Sequence, residues 1–164
     1  MSTLVAYYSW SNGNTREVAE RVASELSAEL LEIETEALYE GSYDDVVELG
    51  KREVERGFEP ELAPLAVEPL DYDRIIVGTP TWWYTMAPAV RTLLCSRDWS
   101  GKDMAFFQTH AGWPGDALED MEGLVPGARV QPGLDVKFDS GGGDVLETSE
   151  EIVDAWACGL FQGK

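Results

Sequence analysis

Basic residues, cysteine and histidine are all scarce in this chain of 164 residues. Lys and Arg number 12 against 31 Asp and Glu, a formal charge of −19. General nucleic-acid binding needs a basic surface, so that class is excluded. Anionic membranes are disfavoured on the same ground. Cys95 and Cys158 are the only cysteines and form no Cys-x-x-Cys pair. A disulfide framework or a zinc site is therefore not expected, and reduced thiols in a cytoplasm fit best. No apolar run approaches the ~20 residues of a membrane span. No basic region precedes an apolar stretch at the N-terminus, so no signal peptide is expected. Internal repeats and low-complexity tracts are missing as well.

What remains is the composition of a packed domain. Hydrophobic residues make up 44%, which argues against disorder. The length suits one domain, residues 1–164, with a core of its own. The charge leaves two readings open. An acidic surface can steer a basic protein partner. It can also serve solubility alone, for example in a salt-rich cytoplasm where the Debye length falls to about 3 Å at 1 M.

The most informative stretch is Ser9-Trp10-Ser11-Asn12-Gly13-Asn14-Thr15. It follows the apolar strand Thr3-Leu4-Val5-Ala6-Tyr7-Tyr8. It precedes a segment whose apolar residues Val18, Ala19, Val22, Ala23 and Leu26 have helical spacing. A helix N-terminus has unpaired N–H groups and a partial positive charge, so it favours a phosphate. The hydroxyls and amides of this loop add donors. The loop has no Lys, unlike the Walker P-loop, and is not the Gly-x-Gly-x-x-Gly dinucleotide turn. The alternative is a plain capping loop without a ligand.

Strands and helices alternate beyond it. Leu30–Thr35 reads as a second strand. Tyr43–Arg56 reads as a charged helix with Val46, Val47, Leu49 and Val54 on its apolar side. Residues 57–73 read as an extended surface connection. The segment 74–79 is a core strand, followed by a helix from about Pro88 to Cys95. Another apolar strand covers 103–109 and a short helix lies near 116–124. A fifth strand is expected over Arg129–Phe138, interrupted by Pro132 and Gly133. Thr148-Ser149-Glu150-Glu151 reads as a capping box opening a last helix with Ile152, Val153, Trp156 and Leu160 inward. Five strands alternating with helices predict an α/β fold, a doubly wound parallel sheet with helices on both faces. Ligands of such sheets bind at the carboxyl ends of the strands.

Two further loops should share that end. Pro80-Thr81-Trp82-Trp83-Tyr84 offers three consecutive aromatics that cannot all be buried, and exposed rings suit a flat conjugated ligand. Packing onto the neighbouring helix is the other reading for Trp82. His110-Ala111-Gly112-Trp113 contains the single histidine and a Gly whose backbone can approach a ligand closely. His110 reads either as an ordinary capped residue or as part of the pocket wall.

These motifs resemble the flavodoxins. The matching parts are Ser9 to Thr15, Gly78-Thr79-Pro80-Thr81-Trp82-Trp83-Tyr84 and Thr109-His110-Ala111-Gly112, in order along nearly the whole chain. The first loop is one residue longer than the family's usual turn, because Asn12 precedes Gly13. The resemblance implies a five-stranded sheet of order 2-1-3-4-5 and noncovalent FMN. It implies that the loop Ser9, Trp10, Ser11, Asn12, Gly13, Asn14, Thr15 holds the 5′-phosphate. Pro80, Thr81, Trp82, Trp83 and Tyr84 would then face one side of the isoalloxazine. His110, Ala111, Gly112 and Trp113 would border its other edge. Three functions follow as expectations. The first is an electron carrier working at low potential between redox proteins, with a basic docking partner. The second is an FMN-dependent NAD(P)H or quinone oxidoreductase. The third is a flavin-free anion-binding or interaction module.

Overall fold

The computed structural model describes residues 1–163. The core strand pattern produces β1 (Thr3–Tyr7), β2 (Glu29–Glu32), β3 (Arg74–Trp82) and β5 (Asp103–His110). Between β3 and β5 lies the short β4 (Thr85–Met86), and after β5 come β6 (Arg129–Val130) and β7 (Leu134–Lys137). The helices are α1 (Asn14–Leu26), α2 (Tyr43–Glu55), α3 (Pro88–Cys95), α4 (Ala117–Gly123) and α5 (Glu150–Gly159). The spine of the sheet runs β2-β1-β3-β5-β6, with β7 also on β5 and β4 on β3. All pairings along the spine are parallel. This is the expected flavodoxin-like order 2-1-3-4-5, with seven strands in place of five.

Two local causes account for the extra strands. The predicted fifth strand is broken into β6 and β7. Val130 pairs Met104 and Leu134 pairs Phe107, so residues 131–133 stand opposite only Ala105 and Phe106. Pro132 has no N–H for a ladder, and a Cβ on Gly133 would come within 3.1 Å of the Phe106 carbonyl oxygen. The other extra strand comes from the aromatic segment. It is not a loose loop: β3 continues through Trp82, reverses at Trp83 and Tyr84, and returns as antiparallel β4.

Burial follows the strand alternation. Leu4, Ala6, Ile75, Val77, Met104 and Phe106 face one way and pack with Ala89, Val90, Leu93 and Leu94 of α3 and Met121 of α4. Val5, Tyr7, Ile76, Ala105 and Phe107 face the other way, against Val18, Ala19 and Val22 of α1 and Val153, Ala157 and Leu160 of α5. The sheet is thus covered on both faces, as apolar runs in parallel strands require.

Three helix expectations need correction. Ser149, not Thr148, caps α5, accepting from the Ile152 N–H, while Thr148 Oγ1 accepts from the Lys137 N–H. Val153 and Ala157 are the buried positions of α5, and Ile152 faces outward, 52% exposed. On α2 the buried positions are Val46, Gly50 and Glu53; Val47 is exposed and Leu49 only half-buried. A mid-helix Gly and a carboxylate hide that face from hydropathy. Cys95 and Cys158 are both free thiols. Among the described residues no helix is long and apolar enough to cross a membrane.

Candidate functional site

The carboxyl ends of β1, β3 and β5 open onto a cavity of about 510 Å³, within the range of small-molecule and cofactor sites. Residues 9–15 leave β1 and turn through two left-handed residues, Ser11 (φ 66) and Gly13 (φ 73), before α1 begins. Gly13 occupies the N-cap position of α1, and no side chain caps the helix. The first N–H groups of α1 therefore lack a side-chain acceptor, as an anion site requires. Ser11, Asn12, Asn14 and Thr15 line the cavity together with Trp10. Ser9, Gly13 and Gly112 are not on its wall. The Ser9 hydroxyl is buried without a hydrogen-bond partner, as is Asn14 Oδ1.

The two amides of the loop have a task unseen in sequence. Asn12 Nδ2 donates to the Gly142 carbonyl at 2.6 Å and Asn14 Nδ2 donates to the Gly143 carbonyl at 3.0 Å. They tie the first loop to the turn after β7, whose Ser140, Gly141, Gly142 and Gly143 also line the cavity. Asp139 shapes that turn by accepting from the N–H groups of Gly141, Gly143 and Val145. These backbone bonds, led by Gly143, hold its carboxyl below the usual range. Thr15 Oγ1 lies 2.8 Å from Thr109 Oγ1, a buried contact joining the start of α1 to the end of β5.

The far end of the cavity is aromatic. Trp83 and Tyr84 form the two-residue turn between Trp82 and Thr85, and both have positive φ (49 and 68). That is the type I′ pattern, which favours Asn and Gly over bulky rings. Backbone strain of this kind persists where surrounding structure imposes it, commonly at functional sites. Here the Tyr84 carbonyl accepts from the Asp116 N–H at 2.8 Å. Trp83, Tyr84 and Trp113 are 44%, 52% and 64% exposed. Trp82 both lines the cavity and packs, meeting Tyr8, Trp10 and Tyr39 edge-on. Trp82 thus belongs both to the cavity wall and to a packed aromatic cluster.

His110 and Ala111 reach the wall beside Trp113. The Gly112 N–H donates to His110 Nδ1 at 2.9 Å, so the ring proton sits on Nε2, facing Asp135 at 2.8–2.9 Å. Gln108 Nε2 donates to the same carboxylate at 2.8 Å, and Thr81 Oγ1 donates to Gln108 Oε1 at 3.3 Å. This chain of bonds ties the hairpin to β5, β7 and the 111–113 turn.

Helix α2 is the wall that sequence reading missed. Tyr43, Val46, Val47, Gly50 and Lys51 line the cavity. The signal was Gly50: a mid-helix Gly costs about 1 kcal/mol against Ala and marks a packing need. A Cβ there would come within 2.9 Å of Trp82 Cε3. Lys51 Nζ sits 4.6 Å from the Trp83 ring centroid and is the one Lys or Arg among the described residues on the cavity wall. The run Gly141-Gly142-Gly143 was the other available signal. Among the described residues there is no cluster of His, Cys, Asp and Glu able to hold a metal.

A doubly wound parallel sheet, an uncapped helix terminus after its first strand and an aromatic cleft at the same edge define a flavodoxin-like α/β protein. The flavodoxin family model matches residues 2–151, and the chain belongs to that family. Solved structures agree on the fold. The flavoprotein of Lactobacillus acidophilus NCFM, crystallised in complex with FMN, is 27% identical, with a TM-score of 0.68 over 82% of this chain and 91% of that one. A Bacteroides uniformis ATCC 8492 protein is 25% identical, with a TM-score of 0.78 over 94% and 96% of the two chains. Flavodoxin 2 of Bacillus cereus is 24% identical, with a TM-score of 0.58 over 96% and 92%. No curated protein matches the chain.

Proposed function

We propose that the protein binds FMN noncovalently and carries electrons between redox proteins. The carrying observation is the uncapped N-terminus of α1, opening onto a cavity whose opposite end is aromatic. The residues fit the group: the N–H groups of Asn14 and Thr15, with the hydroxyls of Ser11 and Thr15, would hold its phosphate. Family membership and the FMN complex of the Lactobacillus acidophilus relative support the reading. When bound, FMN supplies the redox chemistry. The chain's own part is placement and field. Trp83, Tyr84 and Trp113 offer ring faces for stacking, and the strained turn holds two of them at the cleft. The hydrogen-bonded chain from Thr81 to Gly112 orients the opposite rim. The charge of −19 opposes added negative charge on a reduced ligand, which favours low potential; Lys51 is the local opposing influence.

Replacing Ser11 and Thr15 together by Ala removes two charge-assisted bonds of about 1.5–3 kcal/mol each. FMN affinity should fall at least tenfold in a titration while riboflavin affinity changes little. Equal losses for both ligands would remove the phosphate from this loop. A second reading, an FMN-dependent NAD(P)H or quinone reductase, is favoured by the exposure of Trp83, Tyr84 and Trp113, where a second flat substrate can stack. Fast NADPH–quinone turnover by the protein alone would select it.

A further inference from the structure

Six side chains, three on the cavity wall and three behind it, form one connected system. Tyr43 stacks on Trp10 with ring centroids 5.7 Å apart. Trp10 meets Trp82 at 6.2 Å, and Trp82 meets Tyr39 at 5.0 Å and Tyr8 at 5.8 Å. Tyr8 and Tyr39 are 6.4 Å apart. Tyr43, Trp10 and Trp82 line the cavity; Tyr8, Tyr39 and Glu53 do not. The chain of rings ends at a base. Tyr39 Oη donates to Glu53 Oε2 at 2.6 Å, and Glu53 is only 6% exposed. Burial and this hydrogen bond raise the Tyr39 phenol well above its ordinary range. A buried carboxylate is costly unless it is bonded. A hydrophobic side chain at this position of α2 would fill the space without that cost.

We infer that Trp82 and Tyr39 form an oxidation relay that carries an electron vacancy out of the cavity to Tyr39, whose proton passes to Glu53. The reasoning is chemical. Indole and phenol rings in contact are the side chains here that can lose one electron and pass the vacancy on. A phenol becomes the resting place only if its proton leaves with the electron, because an oxidised phenol that keeps its proton is a strong acid. A base at 2.6 Å is within the range for such a transfer, and a short O–H···O contact to a carboxylate is strong in a low-dielectric setting. Tyr8 lies farther from Trp82, at 5.8 Å against 5.0 Å, and has no hydrogen bond to Glu53 among the described contacts, so Tyr39 is the terminus. Oxidised flavin bound in the cavity would, when excited by light, serve as the one-electron oxidant. Trp82 gives up one electron and is restored by the electron from Tyr39, and the Tyr39 proton goes to Glu53; return of that electron reverses every step. The relay moves a damaging oxidation away from the cofactor and stores it where it is reversible. The natural oxidant rests on the flavin reading above.

The test is flash spectroscopy of FMN-loaded protein with detection of tyrosine and tryptophan radicals. A tyrosine radical should appear and outlive the tryptophan signal. In Tyr39→Phe it should vanish, leaving a tryptophan radical that decays at least tenfold faster. Glu53→Gln should slow its formation at least tenfold and make the rate depend on buffer base. Tyr8→Phe should retain it. Folding of each variant is checked by circular dichroism and by FMN affinity. Persistence of the long-lived radical in Tyr39→Phe, or its loss in Tyr8→Phe alone, overturns the relay. The comparison is repeated on flavin-free protein with flash-generated tris(bipyridine)ruthenium(III). A Tyr39-dependent radical there, without one in the FMN sample, upholds the relay and overturns the flavin placement. No Tyr39-dependent radical with either oxidant overturns the relay.

Discussion

Single atoms decide much of this site. Gly50 faces the six-membered ring of Trp82, and Gly78 faces Phe107 so closely that a Cβ would lie 2.1 Å from its Cζ. Ala at position 50 improves helix propensity by about 1 kcal/mol but overpacks at a cost of about 1–3 kcal/mol. Gly50→Ala should therefore lower stability in urea unfolding. It should also weaken FMN, because α2 and Trp82 must part and both line the cavity. Unchanged stability together with unchanged binding would show that Trp82 moves freely. Gly50 stands out in the chain only as a mid-helix glycine; that Trp82 and Phe107 are what the two glycines face is decided in the fold.

At the scale of elements, the hairpin of β3 and β4 combines strain with exposure. Asn and Gly suit the two positions that Trp83 and Tyr84 occupy. The double change Trp83→Asn, Tyr84→Gly should raise the stability of flavin-free protein by about 1 kcal/mol, as relief of positive-φ strain. Flavin affinity should fall in the same protein. Urea unfolding and a flavin titration read the two effects, and loss of both stability and binding would make the rings structural. The turn after β7 invites a pH test. Its Asp139 has a folded-state pKa held down by three backbone N–H bonds. A depressed carboxyl contributes stability above its unfolded value, about pH 4. That contribution is lost as pH falls through the folded value. Asp154 beside Arg21 and Glu68 beside Arg97 act in the same direction. Asp139→Asn should have a lower melting temperature than the parent at pH 6, and the two curves should converge as pH falls through the depressed folded-state value of Asp139.

For the whole molecule, the net charge of −19 sets how it meets other proteins. If the acidic surface docks a basic partner, association is steered and falls steeply with ionic strength. Electron transfer to a basic acceptor protein should slow by about an order of magnitude or more between low and moderate salt, with flavin still bound. A neutral quinone should be nearly insensitive. Salt-insensitive transfer to proteins, with fast NADPH–quinone turnover, would leave the charge as a solubility device and favour the reductase.

Periodicity and turn chemistry in the chain were enough to determine the α/β class, the strand order through its resemblance, the helix that follows Thr15 and the three segments at the cavity. Those features are local: apolar spacing and glycine positions act over a few residues. Packing decided the rest. Pro132 and Gly133 broke the last strand once β5 was beside it, and the aromatic segment became a hairpin once Asp116 bonded the Tyr84 carbonyl. The amides of Asn12 and Asn14 found the 142–143 carbonyls about 130 residues away in sequence. Helix α2 entered the cavity through Gly50 and Lys51, and the buried Glu53 met Tyr39. Such contacts join residues far apart in the chain, so no window of sequence contains both partners.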